Sequence, residues 1–369
     1  MTALVKNIIG AKQGPAAARN PAGSKAPDEA GAPHSAIRFL TVDAESAGQR
    51  LDNFLFRHLK GVPKTHVYRI IRSGEVRINK GRVQAETRVE AGDVLRLPPI
   101  RISERAEEGA TPPAPAREFP VLLEDEAVLA VDKPAGVAVH GGSGVSFGVI
   151  EQLRTARPGA KFLELVHRLD RETSGILLVA KKRSALVALQ EQFRERETGK
   201  TYLALVEGDW PANKKVLDAP LARYLLPDGS AGAGERRVRV VAKDHPDAMR
   251  AVTLVRVLAR LSLPGESAPM SLLAVTIKTG RTHQIRVHLA SAGHPIAGDD
   301  KYGEAGRQRA LHKLGLRRMF LHAWRLQFNH PASGERVALQ AGLPPELLTL
   351  MPPAALEAMT QHPTSKVHD

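Results

Sequence analysis

No cysteine occurs anywhere in the 369 residues. That absence excludes a disulfide framework, a Cys-ligated zinc or iron–sulfur cluster and a thiol nucleophile. It also excludes the zinc nucleobase deaminases, whose metal needs Cys ligands. No stretch approaches the roughly 20 consecutive apolar residues of a membrane-spanning helix. No apolar segment of a secretory signal follows the first lysine, so the cytoplasm is the expected compartment. Familiar nucleotide and metal motifs are missing too. The glycine run at 141–144 fails G-x-G-x-x-G because Phe147 stands in the last glycine's place. Gly199-Lys200-Thr201 lacks the upstream glycine of a Walker A loop, with Arg194 there instead, and no H-E-x-x-H occurs. Acidic residues are in the minority, 39 Asp+Glu against 53 Lys+Arg, for a formal charge of +14. Such an excess points to a polyanion partner, nucleic acid ahead of an anionic membrane. The membrane alternative lacks an amphipathic anchor helix.

What is present divides the chain. Residues 1–36 are rich in Ala, Gly, Pro and Ser and read as a disordered tail. Their Pro and Gly content argues against the amphipathic helix of a transit peptide. Residues 37–100 read as a small α+β domain. Leu51, Phe54, Leu55 and Leu59 share one face of a first helix. Pro63 opens a second, with Val67, Ile70 and Ile71 inward and Gly74 ending it. Short strands follow at 75–78, around Val83 and at 94–97. From 57 to 82 there are eight Lys/Arg and one acid, Glu75. An ordinary solvated face could look like this, but the density favours a phosphate-backbone surface carried by Lys64, Arg69, Arg72 and Arg77. Residues 101–118, with three prolines and almost no core residues, read as a linker.

A larger domain is expected over 119–350. Strands are expected at 121–123, 127–132, 137–140, 162–166, 175–181, 202–207, 251–258, 271–278 and 321–328. Helices are expected at 147–157, at 184–196 with Ser184 as its cap, and at 282–292 before Gly293. Residues 226–248 read as a Gly/Asp/basic excursion, and 351–369 as a short helix and tail. Strands outnumber helices without alternating with them, which implies an α+β fold with a mixed, largely antiparallel sheet.

Three segments could carry chemistry. In 165–181 two apolar strands bracket a polar loop containing His167, Arg168, Asp170, Arg171 and Glu172. Asp170, between two arginines that favour its ionised form, is either a turn residue bonding backbone N–H groups or a nucleophile or general base. In 278–294 a strand runs into a helix bearing Arg281, His283, Gln284, Arg286 and His288, an arrangement that suits an anion. A metal site from His283, His288 and His294 is disfavoured, because residues five apart do not share a helix face well. In 131–144, Lys133 opens a Lys-Pro-Ala-Gly turn before the glycine run. Tyr202 is either core or a base-stacking ring. Asp299-Asp300 reads as part of a turn rather than a working carboxylate pair.

Taken together, LVHRLDRETSGILLVAKKRSAL, VDKPAGVAVHGGSG, KTYLALVEG, KTGRTHQIRVH with GHPIAGDDKYG, and LHAWRLQFNHP resemble the RluA-type family of pseudouridine synthases, in the family's order across most of 119–331. Residues 37–98 resemble the small S4-like RNA-binding domain. The resemblance implies conversion of uridine to pseudouridine within RNA, with no cofactor and no metal. By the family motifs, Asp170 is the essential carboxylate, Arg286 pairs with it, and Tyr202 stacks on the target base. Arg168 and Lys133, with His167, Arg281 and His283, would hold the flipped nucleotide and its phosphates. The implied partner is large-subunit (23S) ribosomal RNA, free or in a pre-ribosomal particle, and the implied state is a monomer. The rival readings are a non-catalytic rRNA-binding assembly factor and a base-excising glycosylase or nuclease.

Overall fold

The computed structural model describes residues 37–100 except 45 and 60, 114–227 except 143 and 144, 234–263 and 268–361. The expected tail at 1–36, most of the linker and the last eight residues lie outside these. The N-terminal unit comprises β1 (Arg38–Thr41), α1 (Leu51–His58), α2 (Lys64–Arg72), β2 (Arg77–Ile78), β3 (Gly81–Arg82) and β4 (Val94–Leu97), with its sheet in the order β1-β4-β2-β3. Leu51, Phe54, Leu55 and Leu59 of the first helical segment meet Val67, Ile70 and Ile71 of the second in one buried cluster. Gly74, just past α2, adopts φ +75, the left-handed turn that glycine makes without a Cβ clash. Strand β1 was not expected from the sequence. It pairs antiparallel with β4, Arg38 opposite Leu97.

The second unit contains β5 (Val121–Glu124), β6 (Val128–Lys133), α3 (Val149–Ala156), β7 (Glu164–Leu165), β8 (Ser174–Ala180), α4 (Arg183–Glu195), β9 (Gly199–Glu207), β10 (Val216–Asp218), β11 (Leu221–Pro227), β12 (Gly234–Val240), β13 (Val252–Leu261), β14 (Met270–Ile277), α5 (Gln284–Ser291), α6 (Ala305–Lys313), β15 (Leu321–Asn329), β16 (Arg336–Gln340), α7 (Pro345–Leu348) and α8 (Pro353–Gln361). Its main sheet runs β10-β13-β14-β9-β15-β8-β6-β5, with β16 on β15 and β7 on β8. The β8–β15 pair is parallel and its neighbours are antiparallel. This is the mixed, largely antiparallel α+β fold that the strand pattern implies. Every residue of β8 is buried, as befits a strand covered on both faces. Arg57 of α1 donates to Lys161 O at 2.8 Å, and its guanidinium lies 5.7 Å from the Phe162 ring centre, which ties the two units. Among the described residues no helix is long and apolar enough to cross a membrane.

Three local expectations need correction. Residues 137–140 alternate like a strand but form none. Their carbonyls serve a helix start instead: Ala138 O and Val139 O accept the N–H groups of Val149 and Ile150, the first orphan donors of α3. Ser184 is not a cap, because α4 begins one residue earlier with Lys182 at the cap and no side-chain bond there. The basic excursion folds into a two-stranded hairpin, β11–β12, with Leu221 opposite Val240 and Arg223 opposite Val238. Arg237 and Arg239 alternate with Val238 and Val240 as a strand should, but the Gly/Asp/basic composition around them masked that pattern. The short helix expected beyond residue 350 is present as α8, which packs against the sheet with Ala355 fully buried.

Gly175, second in β8, adopts φ +108, and a Cβ there would fall 2.3 Å from Ala323 O on the parallel partner strand. The clash is with backbone, which cannot rotate away. We expect Gly175→Ala to cost about 3 kcal/mol, from overpacking and positive-φ strain together. A shift of the urea midpoint worth less than about 1 kcal/mol would show that the two strands yield more easily than this packing implies.

Candidate active site

The polar loop 166–173 joins β7 to β8, and three anchors hold it. Lys133 ends β6 fully buried, and its Nζ donates to Pro134 O and Val137 O at 2.8 Å and to Arg171 O at 3.0 Å. One ammonium thus spans the Lys-Pro turn and the polar loop. Burial, reinforced by the nearby Arg318 charge, pushes its pKa down to about 7. Thr173 N–H closes the loop on Asp170 O at 3.1 Å. Below it, Arg318 Nη2 donates to Ser174 Oγ at 2.7 Å, and Ser174 Oγ lies 2.9 Å from His322 Nδ1. Burial pushes His322 down to about 4, so its ring is neutral and accepts the Ser174 proton.

A second loop, 278–283, is set by Gln284. Its Oε1 accepts from Thr279 Oγ1 and Arg281 N, while its Nε2 donates to Val252 O and Thr253 Oγ1. This buried amide fixes the start of α5. Arg286 follows and enters from the side of Asp170. Its Nη1 stands 3.5 Å from Asp170 Oδ2, while Nε and Nη2 grip Asp299 at 2.8 and 2.7 Å. Burial pulls the guanidinium pKa down, but the Asp299 bonds and charge, joined by Asp170, outweigh it and leave it raised. Asp299 also accepts the N–H groups of Lys301 and Tyr302. The turn read from the sequence is therefore real, but the same carboxylate also holds the arginine, which the sequence reading missed. An acidic pair following the arginine helix in so basic a chain was the available signal.

Asp170, Tyr202 and Arg286 line one cavity of about 240 Å³, together with Arg168, Arg281 and His283. Arg223 of the hairpin reaches the same cavity and donates to Thr282 Oγ1 at 3.3 Å. Among the described lining residues, Asp170 is the one carboxylate among several arginines, a setting that suits a polyanion. Tyr202 sits between two core clusters with its ring at the cavity wall. Burial, reinforced by the Asp170 charge, raises its pKa, so the phenol keeps its proton.

Two expected nucleotide contacts go elsewhere. Lys133 is spent on carbonyls and reaches no surface. His167 turns inward, where Nε2 accepts Leu178 N–H at 3.1 Å and the ring stacks on Phe193 at 4.8 Å. Burial pushes it down to about 4, which suits an acceptor. Both polar side chains serve backbone groups, Lys133 in the two turns and His167 in β8, a role that a motif read as residue types does not distinguish from ligand contact. His288 bonds Thr253 Oγ1 and Ala219 O, while His294 bonds Glu207 O, so neither joins His283. Among the described residues no cluster of three or more His, Cys, Asp or Glu could hold a metal ion.

On the N-terminal unit, Lys64, Arg69 and Arg72 are exposed along α2. Arg77 is half-buried and donates to Lys80 O. Arg72 borders a groove with Tyr68 and Arg82.

A family model described as RNA pseudouridylate synthase matches residues 127–291, and an S4 domain model matches 49–95. With the relatives that follow, these matches show that the chain belongs to the RNA pseudouridylate synthase family and carries an S4 domain ahead of its catalytic domain. It is 49% identical over 321 residues to ribosomal large subunit pseudouridine synthase C of Pasteurella multocida, a match covering 86% of this chain and 94% of that one. It is 49% identical over 310 residues to the protein of the same name from Escherichia coli K12, covering 83% and 92%. A solved structure, human RNA Pseudouridylate Synthase Domain Containing 1, is 27% identical with a TM-score of 0.49, covering 62% of this chain and 84% of that one.

Proposed function

We propose that this RNA pseudouridine synthase acts on large-subunit (23S) ribosomal RNA, with Asp170 as its essential carboxylate. The observation that carries the reading is the cavity itself, where Asp170, Tyr202 and Arg286 converge beneath arginines. The near-half identity to synthases named for the ribosomal large subunit supports the choice of RNA.

A base within folded RNA cannot reach so recessed a carboxylate, so the target uridine leaves its stack and enters the cavity. Tyr202 offers a face on which uracil stacks. Asp170 attacks the ribose or the uracil ring, the N-glycosidic bond breaks, and the uracil turns and rejoins the ribose through carbon 5. The carbon 5 proton departs and the ring nitrogen regains one, so atoms balance with no co-reactant. Arg286 faces the carboxylate's charge and orients it. Arg168, Arg223 and Arg281 meet the flanking phosphates. Lys64, Arg69, Arg72 and Arg77 add affinity from the S4 domain. The enzyme works as a monomer in the cytoplasm, on free rRNA or on an assembling particle.

The test is to map pseudouridine across 23S rRNA from cells lacking the gene, with and without the restored protein. Modified uridines that return with it identify the targets. A map unchanged by the protein would remove 23S rRNA as substrate and promote the assembly-factor reading. A second expected result concerns affinity. Replacing Lys64, Arg69, Arg72 and Arg77 together by Ala should flatten the slope of log affinity against log salt by about 3, at roughly 0.7–0.9 per lost phosphate contact. A slope unchanged in the titration would take these four off the RNA path.

A further inference from the structure

His283 opens α5 in the left-handed backbone region, φ +52. That conformation costs an L-residue of this kind on the order of 1 kcal/mol and persists where the surroundings fix the side chain. Here both ring nitrogens have a defined outlook. Nδ1 lies 2.8 Å from the Tyr302 hydroxyl. Nε2 faces Asp170 Oδ2 at 4.0 Å across the cavity. The Tyr302 oxygen also accepts Val238 N–H, at 3.2 Å, from the β11–β12 hairpin. A phenol carries one proton; with its oxygen accepting from Val238, that proton is free to point at Nδ1, an arrangement that would put the imidazole's own proton on Nε2, on the Asp170 side. Burial, followed by the charges of Arg286 and Lys301, outweighs the pull of Asp170 and Asp299 and lowers the His283 pKa, which favours that neutral ring.

Arg286 Nη1 and His283 Nε2 both face Oδ2 of Asp170. We propose that His283 is a positioning residue for the isomerisation, kept by Tyr302 in the Nε2–H form so that it and Arg286 hold Oδ2 and leave Oδ1 to meet the nucleotide. A neutral donor orients a carboxylate without the second full charge that would weaken it as a nucleophile or base. Through Val238 the hairpin takes part in this setting, because the hydroxyl that fixes the imidazole rests on its backbone. The proposal depends on Asp170 being the reacting carboxylate, but not on which RNA carries the uridine.

Two readouts test it. Nitrogen-15 NMR of the histidine-labelled protein, without RNA, should show His283 protonated at Nε2 and bare at Nδ1, and Tyr302→Phe should mix the two tautomers. Protonation at Nδ1 in the wild-type protein would overturn the proposal even if the RNA substrate were misassigned. The second readout is pseudouridine formation on a 23S rRNA transcript. Tyr302→Phe should lower kcat about tenfold with KM within about twofold, the pattern of a lost orientation rather than lost binding. His283→Asn suits the left-handed backbone and should melt no lower than wild type, yet lose kcat similarly. His283→Gln, whose amide reaches the Nε2 position, should recover most of the rate. A kcat within twofold of wild type for both Tyr302→Phe and His283→Asn, or a loss confined to KM, would also overturn it. A wild-type protein inactive on this transcript would count against the 23S reading, with the tautomer measurement still deciding the role of His283.

Discussion

Asp170→Asn should leave a folded protein that binds RNA as before and forms pseudouridine at least about 10⁴-fold more slowly, the scale of loss seen when an essential reacting group is removed. The amide nearly matches the carboxylate in shape but carries no charge and is a poor nucleophile and base. Stability should change little, because Arg286 stays bidentate on Asp299 and so does not become an unpaired buried cation. The Asp170 side chain is also about one-fifth exposed, so it is not a deep core residue. Single-turnover rates and a binding titration on the same RNA check the two halves separately. A residual rate within about tenfold of wild type would remove Asp170 from the chemistry. Equal loss of binding and rate would make it a contact residue instead.

Asp299→Ala should be the more damaging change to the fold. The Arg286 side chain is 7% exposed and Asp299 is fully buried. Removing the acid strands a buried guanidinium and leaves the N–H groups of Lys301 and Tyr302 without their acceptor. Breaking a buried pair from one side costs about 3–5 kcal/mol. The freed arginine then has one carboxylate within reach, Asp170, and a bidentate grip there would quench the reacting group. A rate loss of about 10²-fold at temperatures where the variant is folded should accompany the stability loss. Denaturant midpoints measure the first effect and single-turnover kinetics the second. A stability change under about 1 kcal/mol would show that water or another group takes over the guanidinium.

Much of this was legible from residues alone. The inward face of α1 and α2 follows from the spacing of Leu51, Phe54, Leu55, Val67, Ile70 and Ile71, since burial and a 3.6-residue period leave little choice. The class of the main sheet follows from strands that outnumber helices. At the site, the motifs bring Asp170, Tyr202, Arg286, Arg168, Arg281 and His283 to one cavity. What was hidden has several physical causes. Lys133 and His167 look like ligand contacts because cation and imidazole are common in sites, yet their partners are backbone groups that no sequence displays. Asp299 and Tyr302 were hidden because their work depends on helix α5 lying against a turn later in the chain. The hairpin was hidden because the Gly, Asp and basic composition of the segment was read as a loop, although Arg237 and Arg239 alternate with Val238 and Val240 as in a strand. Arg237 nonetheless bonds Lys301 O, and Val238 lies in the small core beside Val287.

The parallel seam between β8 and β15 has a consequence for how the enzyme comes into being. Ser174, which ends the polar loop, bonds His322 and Arg318, partners 148 and 144 residues further on. Contacts of such sequence separation form late, since a long loop must close before they reward it. During synthesis the Asp170 loop therefore emerges well before the strand that steadies it. The S4 domain, whose contacts are local, can fold and engage RNA while the catalytic half is still being made. Attachment to RNA can thus come before competence to modify it, which waits for β15 to close on β8.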